Sequence, residues 1–226
     1  MPRDTLTRDQ IVDAAVGLLD DGGLEGLNMR ALGKRLGSAA TAVYWHVGSK
    51  SNLIGLAGDR VWDEITLADL STSHWRSAAT TMATDLQAML ARHTWLVQAF
   101  GAYLMFGPRK ARHDEHNLAI YETAGFTPAQ ADQAAAAVFT FVLGSAIGTA
   151  AAASLRRELS RDGEKLMDAG MTEAKEVAAQ FPRLRARLET AGAGYGAAPD
   201  SSFDFGLEAI LDGVQAQLVT VTPKQT

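Results

Sequence analysis

The stretch Gly37-Ser-Ala-Ala-Thr-Ala-Val-Tyr-Trp-His-Val-Gly-Ser-Lys50 follows directly on a short amphipathic segment, residues 28–36. Two helical pieces, each too short to be stable alone and joined by a tight glycine-led turn, read as a helix-turn-helix. The second piece presents Ala40, Thr41, Tyr44, Trp45 and His46, and Lys50 follows at once. Small residues let a helix sit deep in a major groove. Hydroxyl, indole and imidazole donors then reach the phosphates on either side. The pattern points to duplex DNA.

The net charge of −5 sits awkwardly with that reading until its distribution is considered. Residues 1–50 balance Arg3, Arg8, Arg30, Lys34, Arg35 and Lys50 against Asp4, Asp9, Asp13, Asp20, Asp21 and Glu25, so the whole deficit lies in the remainder. Between Glu25 and Asp59 there is no acid, and Arg30, Lys34, Arg35 and Lys50 all fall in that gap. A locally positive face on an acidic body suits a small DNA-reading module.

Outward from the motif, Thr7 is placed to cap a first helix running to about Asp21, with Ile11, Ala14, Ala15, Leu18 and Leu19 on one face and Gly22-Gly23 as the stop. Asn28 caps the second helix and Gly37 ends it. A third covers residues 39–47. Ser49 caps a fourth, expected over residues 50–70 with Leu53, Ile54, Ala57, Val61 and Ile65 as its buried stripe. At about 1.5 Å per residue it spans roughly 30 Å, a lever between two parts of the molecule. Further helices are expected over residues 74–93, 109–123, 129–159 and 203–219. Residues 95–106 are apolar nearly all round and expected to be buried on most sides. Residues 160–190, interrupted by Gly163, Gly170 and Pro182, read as short helices, and the Gly/Ala-rich residues 191–199 as a mobile loop.

No strand or repeat is evident, so the fold is expected to be all-α: an N-terminal three-helix helix-turn-helix domain, residues 1–50, and a C-terminal helical ligand-binding and dimerisation domain, residues 51–226. The absence of cysteine and of a signal-peptide pattern agrees with a cytoplasmic protein.

Residues 133–155 carry no charge and are long enough for a membrane span, but much of the run is Ala, Gly, Ser and Thr, too weakly hydrophobic for that role. Its pattern is more informative. Ala136, Thr140, Gly144, Gly148 and Ala152 form a small-residue stripe beside Phe139, Val142, Leu143 and Ile147. The last helix repeats the arrangement with Gly206, Ala209, Gly213 and Ala216. Two such helices docking on their copies in a second chain make a four-helix homodimer interface; the plain alternative is packing within one chain.

At this point the residues resemble a family. Leu27-Asn-Met-Arg-Ala-Leu-Gly-Lys-Arg-Leu-Gly37 and Ala42-Val-Tyr-Trp-His-Val-Gly-Ser-Lys-Ser-Asn-Leu53 are similar to the helix-turn-helix of TetR-type repressors. Phe203-Asp-Phe-Gly-Leu-Glu-Ala-Ile-Leu-Asp-Gly213 is similar to the end of the tetracycline-repressor C-terminal domain. The resemblance implies a homodimer that binds a palindromic operator in double-stranded DNA and releases it when a small molecule enters the C-terminal domain. It implies that Arg30 reads a base edge, that Ala40, Thr41, Ala42 and Tyr44 face bases, and that Asn28, Trp45, His46 and Lys50 hold phosphates. The helix N-termini at Asn28 and Ser49 independently offer N–H groups suited to phosphate oxygens. Ala40 stands where a base-reading amide is common, so the operator should differ from the tetracycline one. Tyr103 and Thr140 stand where that subgroup has metal-binding histidines, which argues against a magnesium–tetracycline ligand.

The effector pocket is expected among Met82, Leu86, Met89, Phe100, Tyr103, Leu104, His116, Ile120, Phe139 and Val142, a lining suited to an apolar, aromatic molecule. His113 and His116 have a metal-compatible spacing, but on a polar helix with no third ligand they read as a solvated face; no metal or cofactor is expected. No nucleophile elbow, phosphate loop or HExxH occurs, so a helical enzyme is the weaker rival. The stronger one is a DNA-binding adaptor whose C-terminal domain meets a protein.

Overall fold

The computed structural model describes residues 6–158, 161–189 and 202–219. Its first three helices are α1 (Arg8–Gly26), α2 (Met29–Arg35) and α3 (Ala40–Val47). Local chemistry sets their ends. Thr7 Oγ1 accepts the Gln10 N–H at 3.2 Å while Gln10 Oε1 accepts the Thr7 N–H at 2.9 Å, a reciprocal capping box. Asn28 Oδ1 accepts the Ala31 N–H at 2.8 Å to open α2. Gly23, at φ 63°, kinks α1, and Gly37, at φ 62°, turns the chain from α2 toward α3. Both are left-handed values that cost a glycine little. Inside this unit Ile11, Ala15, Leu19, Leu27, Leu32, Val43 and Val47 are at most 2% exposed. Each large aliphatic so buried contributes about 1.5–3 kcal/mol.

The fourth helix, α4 (Lys50–Val61), is shorter than the sequence suggests. It is 12 residues long, about 18 Å at the usual rise, and passes into a 3-10 turn at Trp62–Glu64. Asp63 and Glu64 oppose the negative end of the helix dipole. The Thr66 N–H is taken by Asp85 Oδ2 at 2.9 Å, which holds the following segment out of helix. Ile65 is buried all the same.

Beyond the turn lie α5 (Trp75–Arg92), α6 (Trp95–Ala102), α7 (Pro108–Thr123), α8 (Pro128–Glu158) and α11 (Ser202–Val219). The central helix is α8, packed against α5, α6, α7 and α11. One continuous core runs from Ile11 to Leu211, so no separate linker divides the chain. Among the described residues there is no strand.

Two further expectations are corrected. The apolar run 95–106 is not buried throughout: α6 stops at Ala102, Tyr103 is extended, and Leu104 and Phe106 are 83% and 76% exposed. Gly107, held extended before Pro108, breaks the run. Residues 161–188 form α9 (Arg161–Ala179) and α10 (Pro182–Leu188). Only Pro182 interrupts them, since a single helical glycine costs about 1 kcal/mol and is tolerated. The expected loop at 191–199 lies outside the described residues.

Candidate functional site

Within α3, Trp45 is 83% exposed, an unusual state for so large an apolar ring. It meets the half-buried His46 edge-on at 4.9 Å between ring centroids. Ala42 is exposed beside them. The side chains of Ala40, Thr41 and Tyr44 lie outside the described residues, although their backbone is helical. Arg30 and Lys34 are exposed on α2, and Lys50 opens α4 next to Ser49, whose Oγ accepts the Asn52 N–H at 3.1 Å. Among the described residues no acid pairs with Arg30, Lys34 or Lys50, whereas Arg35 is held by Asp21 at 2.9 Å. Asn28, Arg30, Trp45, His46 and Lys50 therefore belong to one module carrying two capped helix N-termini, uncompensated cations and an exposed indole. Such a surface can hold phosphates and present a helix to a groove.

Two polar junctions tie this module to the rest. Asp59, 5% exposed, accepts the backbone N–H groups of Arg109 and Lys110 at 3.0 and 2.9 Å. Gly107 lies so close to this carboxylate that a Cβ there would overlap it. Next to it, Asp63 receives Arg109 Nε at 2.5 Å and Arg112 at 2.8 Å, and Arg60 Nε donates to Asp13 of α1 at 2.8 Å. At the second junction His93, 6% exposed, lies 2.7 Å from Asp20 of α1 and 2.8 Å from Glu64. Trp95 Nε1 also donates to Asp20 at 2.8 Å. Burial alone pushes the His93 pKa down, but hydrogen bonds and charge from the two carboxylates prevail and raise it. Carboxylates on both ring nitrogens favour the protonated imidazole over the neutral one.

The expected pocket residues do not all share one wall. Met82, Leu86, Met89, Ile120 and Val142 are buried in the main core. Phe100 and Phe139 meet edge-on at 5.7 Å. Tyr103 is half-buried, while Leu104 points to solvent. His116 Nε2 is buried without a partner, and burial is the first cause lowering its pKa. His113 is not on a solvated face: it is 5% exposed and packs on Trp62 at 4.6 Å, because α7 lies on the 3-10 turn. Among the described residues no group of three His, Cys, Asp or Glu could hold a metal ion.

Sequence reasoning missed Trp62 and Lys110 in this region and, against Trp75 and Phe126, Tyr121. Trp62, 2% exposed, joins Phe100 at 6.4 Å. Lys110 Nζ lies 5.3 Å from the Trp62 ring centroid and 5.9 Å from that of Phe139. Tyr121 is wholly buried with its hydroxyl unpaired, and desolvation pushes its pKa up to about 12. A cleft of about 700 Å³ opens between α1, α4 and residues 102–109, and a recess of about 460 Å³ lies against residues 105–114.

On α8, Ala136, Thr140, Gly144 and Gly148 are exposed and Ala152 partly so; on α11, Ala209, Gly213 and Ala216 are exposed. Gly206 differs, because a Cβ there would come within 2.5 Å of the Phe141 ring of the same chain. The stretch Pro128–Leu155 is long and apolar enough to cross a membrane by length and composition, and only 28% of its most apolar window is buried within the chain.

Comparison with known proteins agrees with this architecture. The family profile for the tetracyclin repressor-like C-terminal domain matches residues 68–218, and that for bacterial regulatory proteins of the tetR family matches residues 11–56. An HTH-type transcriptional regulator of Saccharopolyspora erythraea is 33% identical over 93% of this chain and 85% of its own. The HTH-type transcriptional repressor DrrR1 of Streptomyces coeruleorubidus is 32% identical over 95% of this chain and 79% of its own. Among solved structures, the Streptomyces coelicolor TetR family protein ActR in complex with actinorhodin superposes with a TM-score of 0.76. It is 26% identical and covers 97% of this chain and 100% of its own.

Proposed function

The chain belongs to the TetR family of transcriptional regulators, and from that premise we propose that it holds a palindromic operator as a homodimer and lets go when a small aromatic, largely apolar molecule enters its C-terminal domain. It is a regulator and not an enzyme. The observation that carries the proposal is Trp45, fully presented to solvent on α3 within a surface free of acids from Asn28 to Gly58. In this reading Arg30 contacts a base edge, Ala40, Thr41, Ala42 and Tyr44 face the bases, and Asn28, Trp45, His46 and Lys50 grip phosphates.

The module is assigned to residues 1–50 and the effector and dimer domain to residues 51–226, with α4 as the shared element. Homodimerisation is supported by the exposed small-residue stripe of α8 and α11, whose apolar surface a second copy would cover. That cover also makes a membrane role unnecessary and fits a cytoplasmic protein. A small-molecule effector is supported by the buried, unpaired His116 Nε2 and Tyr121 Oη, which supply polar anchors in apolar surroundings, and by the ActR complex with actinorhodin.

Release works through differential affinity for two arrangements of the dimer. Recognition helices must lie about 34–36 Å apart to enter successive major grooves. A shift of α7 would be passed to α4 through Asp59 and to α1 through Arg60, altering that spacing. Selection of bound sequences from random duplex DNA, repeated with candidate aromatic effectors, tests the proposal. Recovery of a palindrome whose retention an effector abolishes supports it; recovery of no preferred sequence refutes it.

A further inference from the structure

We propose that the cleft between α1, α4 and residues 102–109 is a second small-molecule site, taking an elongated apolar molecule that ends in one carboxylate. It stands apart from the effector chamber proposed above. At about 700 Å³ the cleft is within the size range of ligand sites. One wall is a single face of α4: Ser51, Asn52, Gly55, Leu56, Asp59 and Arg60 line it in pairs four residues apart. That face runs for about 13 Å at the usual helical rise. Arg8 and Val12 of α1 supply a second wall, and the segment carrying Leu104 and Phe106 a third. An occupant would therefore touch the DNA-reading module and the rest of the molecule at once.

The apolar body is called for by Leu104 and Phe106, which line the cleft while 83% and 76% exposed. They are held there. Met105, between them, closes on Gly58 of α4 so tightly that no Cβ would fit at that glycine. Alternate residues of an extended segment point to opposite sides, so seating Met105 turns both neighbours outward. The head group follows from charge. Arg60 is already matched by Asp13, and Arg109 by Asp59 and Asp63. Among the described residues no acid pairs with Arg8, in the first turn of α1, and Ser51 and Asn52 add polar side chains from the first turn of α4. Asp9 is compensated by the positive end of the α1 dipole, which opposes the charge of Arg8, so an anion is favoured over a cation. A guanidinium takes a carboxylate through two parallel N–H bonds. With Asp9 beside it, the site suits one negative charge and disfavours a dianion such as a phosphate monoester.

Octanoate and 1-octanol share an alkyl chain and differ in the head group, so titration calorimetry on the full chain reads the worth of the carboxylate. Octanoate should bind about fivefold more tightly, the upper end for an ion pair open to water. Arg8→Gln should erase that advantage and leave octanol unchanged, while Arg8→Lys should keep part of it. Leu104→Ser combined with Phe106→Ser should weaken both compounds about tenfold, because the alkyl chain loses its cover. Both side chains face water, so the thermal midpoint should stay where it is. If that variant does not fold, Gly55→Leu decides: its Cβ meets only the Leu104 carbonyl oxygen, at 3.6 Å, and its side chain fills the cleft from α4. It should exclude both compounds. Equal binding of the two, or an octanoate advantage that survives Arg8→Gln, overturns the carboxylate assignment. Affinity that survives the serine or leucine variants, or binding of neither compound, overturns the site. None of these outcomes bears on the effector chamber, which release of operator by an aromatic compound tests separately.

Discussion

Asp59 on α4 holds the N-terminus of α7 through Lys110, accepting that residue's backbone N–H at 2.9 Å from a site only 5% exposed. With the matching bond from Arg109, one buried carboxylate satisfies two donors that a helix start leaves orphaned. A helix N-terminus and an anion attract each other, so the contact is also electrostatically matched.

Asp59→Ala should therefore strip two buried N–H groups of their acceptor, at a cost of about 1–3 kcal/mol. The thermal midpoint should fall by about 2–4 °C for each of those. Asp59→Asn, whose amide oxygen still accepts, should cost less. If Asp59 also carries motion from α7 to α4, the alanine variant should bind operator while needing more effector to release it. Titration of effector against a labelled operator, in parallel with thermal melts, separates the two roles. An alanine variant with wild-type stability and wild-type release would remove Asp59 from both.

The His93 junction makes stability depend on pH in a defined direction. Its folded pKa is raised, against the pull of burial, by Asp20 and Glu64. Arg92 also bonds Glu64, and Arg157 donates to the neighbouring Thr94. A raised folded pKa means that the stabilisation is complete below the ordinary imidazole range, about pH 6.5, and is lost as pH rises through the higher folded value. Glu64 acts at the other end: burial pulls its pKa up, but its bonds to His93 and Arg92 prevail and lower it, so its contribution fades only in acid. Melting temperature should thus decline from weakly acid to alkaline pH in the native chain, and the decline should be shallower in His93→Gln. Parallel slopes for the two proteins would show that the imidazolium does not hold α1 to the core.

What could be read from the sequence divides along a physical line. Thr7, Asn28, Gly37 and Ser49 act on neighbours three or four residues away, so the starts of α1, α2 and α4 and the end of α2 were legible, whereas α1 kinks at Gly23 and runs on to Gly26, past the stop expected after Asp21. The far end of α4 was not legible either, because it depends on Asp85, a residue distant in sequence, taking the Thr66 N–H. The exposure of Leu104 and Phe106 was hidden for a similar reason: hydrophobic pattern reports what a residue prefers, and Gly107-Pro108 decides where the chain goes. Trp62 and Lys110 come together only because α7 packs on α4 and the 3-10 turn, and Tyr121 meets Trp75 only because α7 packs on α5. No spacing along the chain announces either meeting.

Arg30 and Lys50 should fail differently. Loss of a phosphate contact weakens binding to every duplex, so Lys50→Ala should lower affinity evenly and reduce the slope of log affinity against log salt by about 0.9. Loss of a base contact is local, so Arg30→Ala should relax preference at one base pair of each half-site, worth about 1–3 kcal/mol. Binding to an operator panel at several salt concentrations distinguishes them. An unchanged salt slope for Lys50→Ala, or uniform weakening for Arg30→Ala, contradicts the assignment.

The glycines of α8 and α11 separate packing within a chain from packing between chains. A Cβ at Gly206 would strike the Phe141 ring, which is stacked on Phe203 at 5.5 Å, whereas one at Gly144, Gly148 or Gly213 meets nothing within 4 Å. Gly206→Ala should therefore destabilise the fold itself by about 1–3 kcal/mol as the ring is pushed aside. Gly144→Leu and Gly148→Leu should leave the helical content of the chain unchanged, since their side chains project into open space. If these positions are where a second copy approaches closely, the bulk should drive the dimer apart. Sedimentation equilibrium should then find Gly144→Leu and Gly148→Leu monomeric at concentrations where the native chain is dimeric. Dimers of undiminished strength in both leucine variants would move the interface off this stripe.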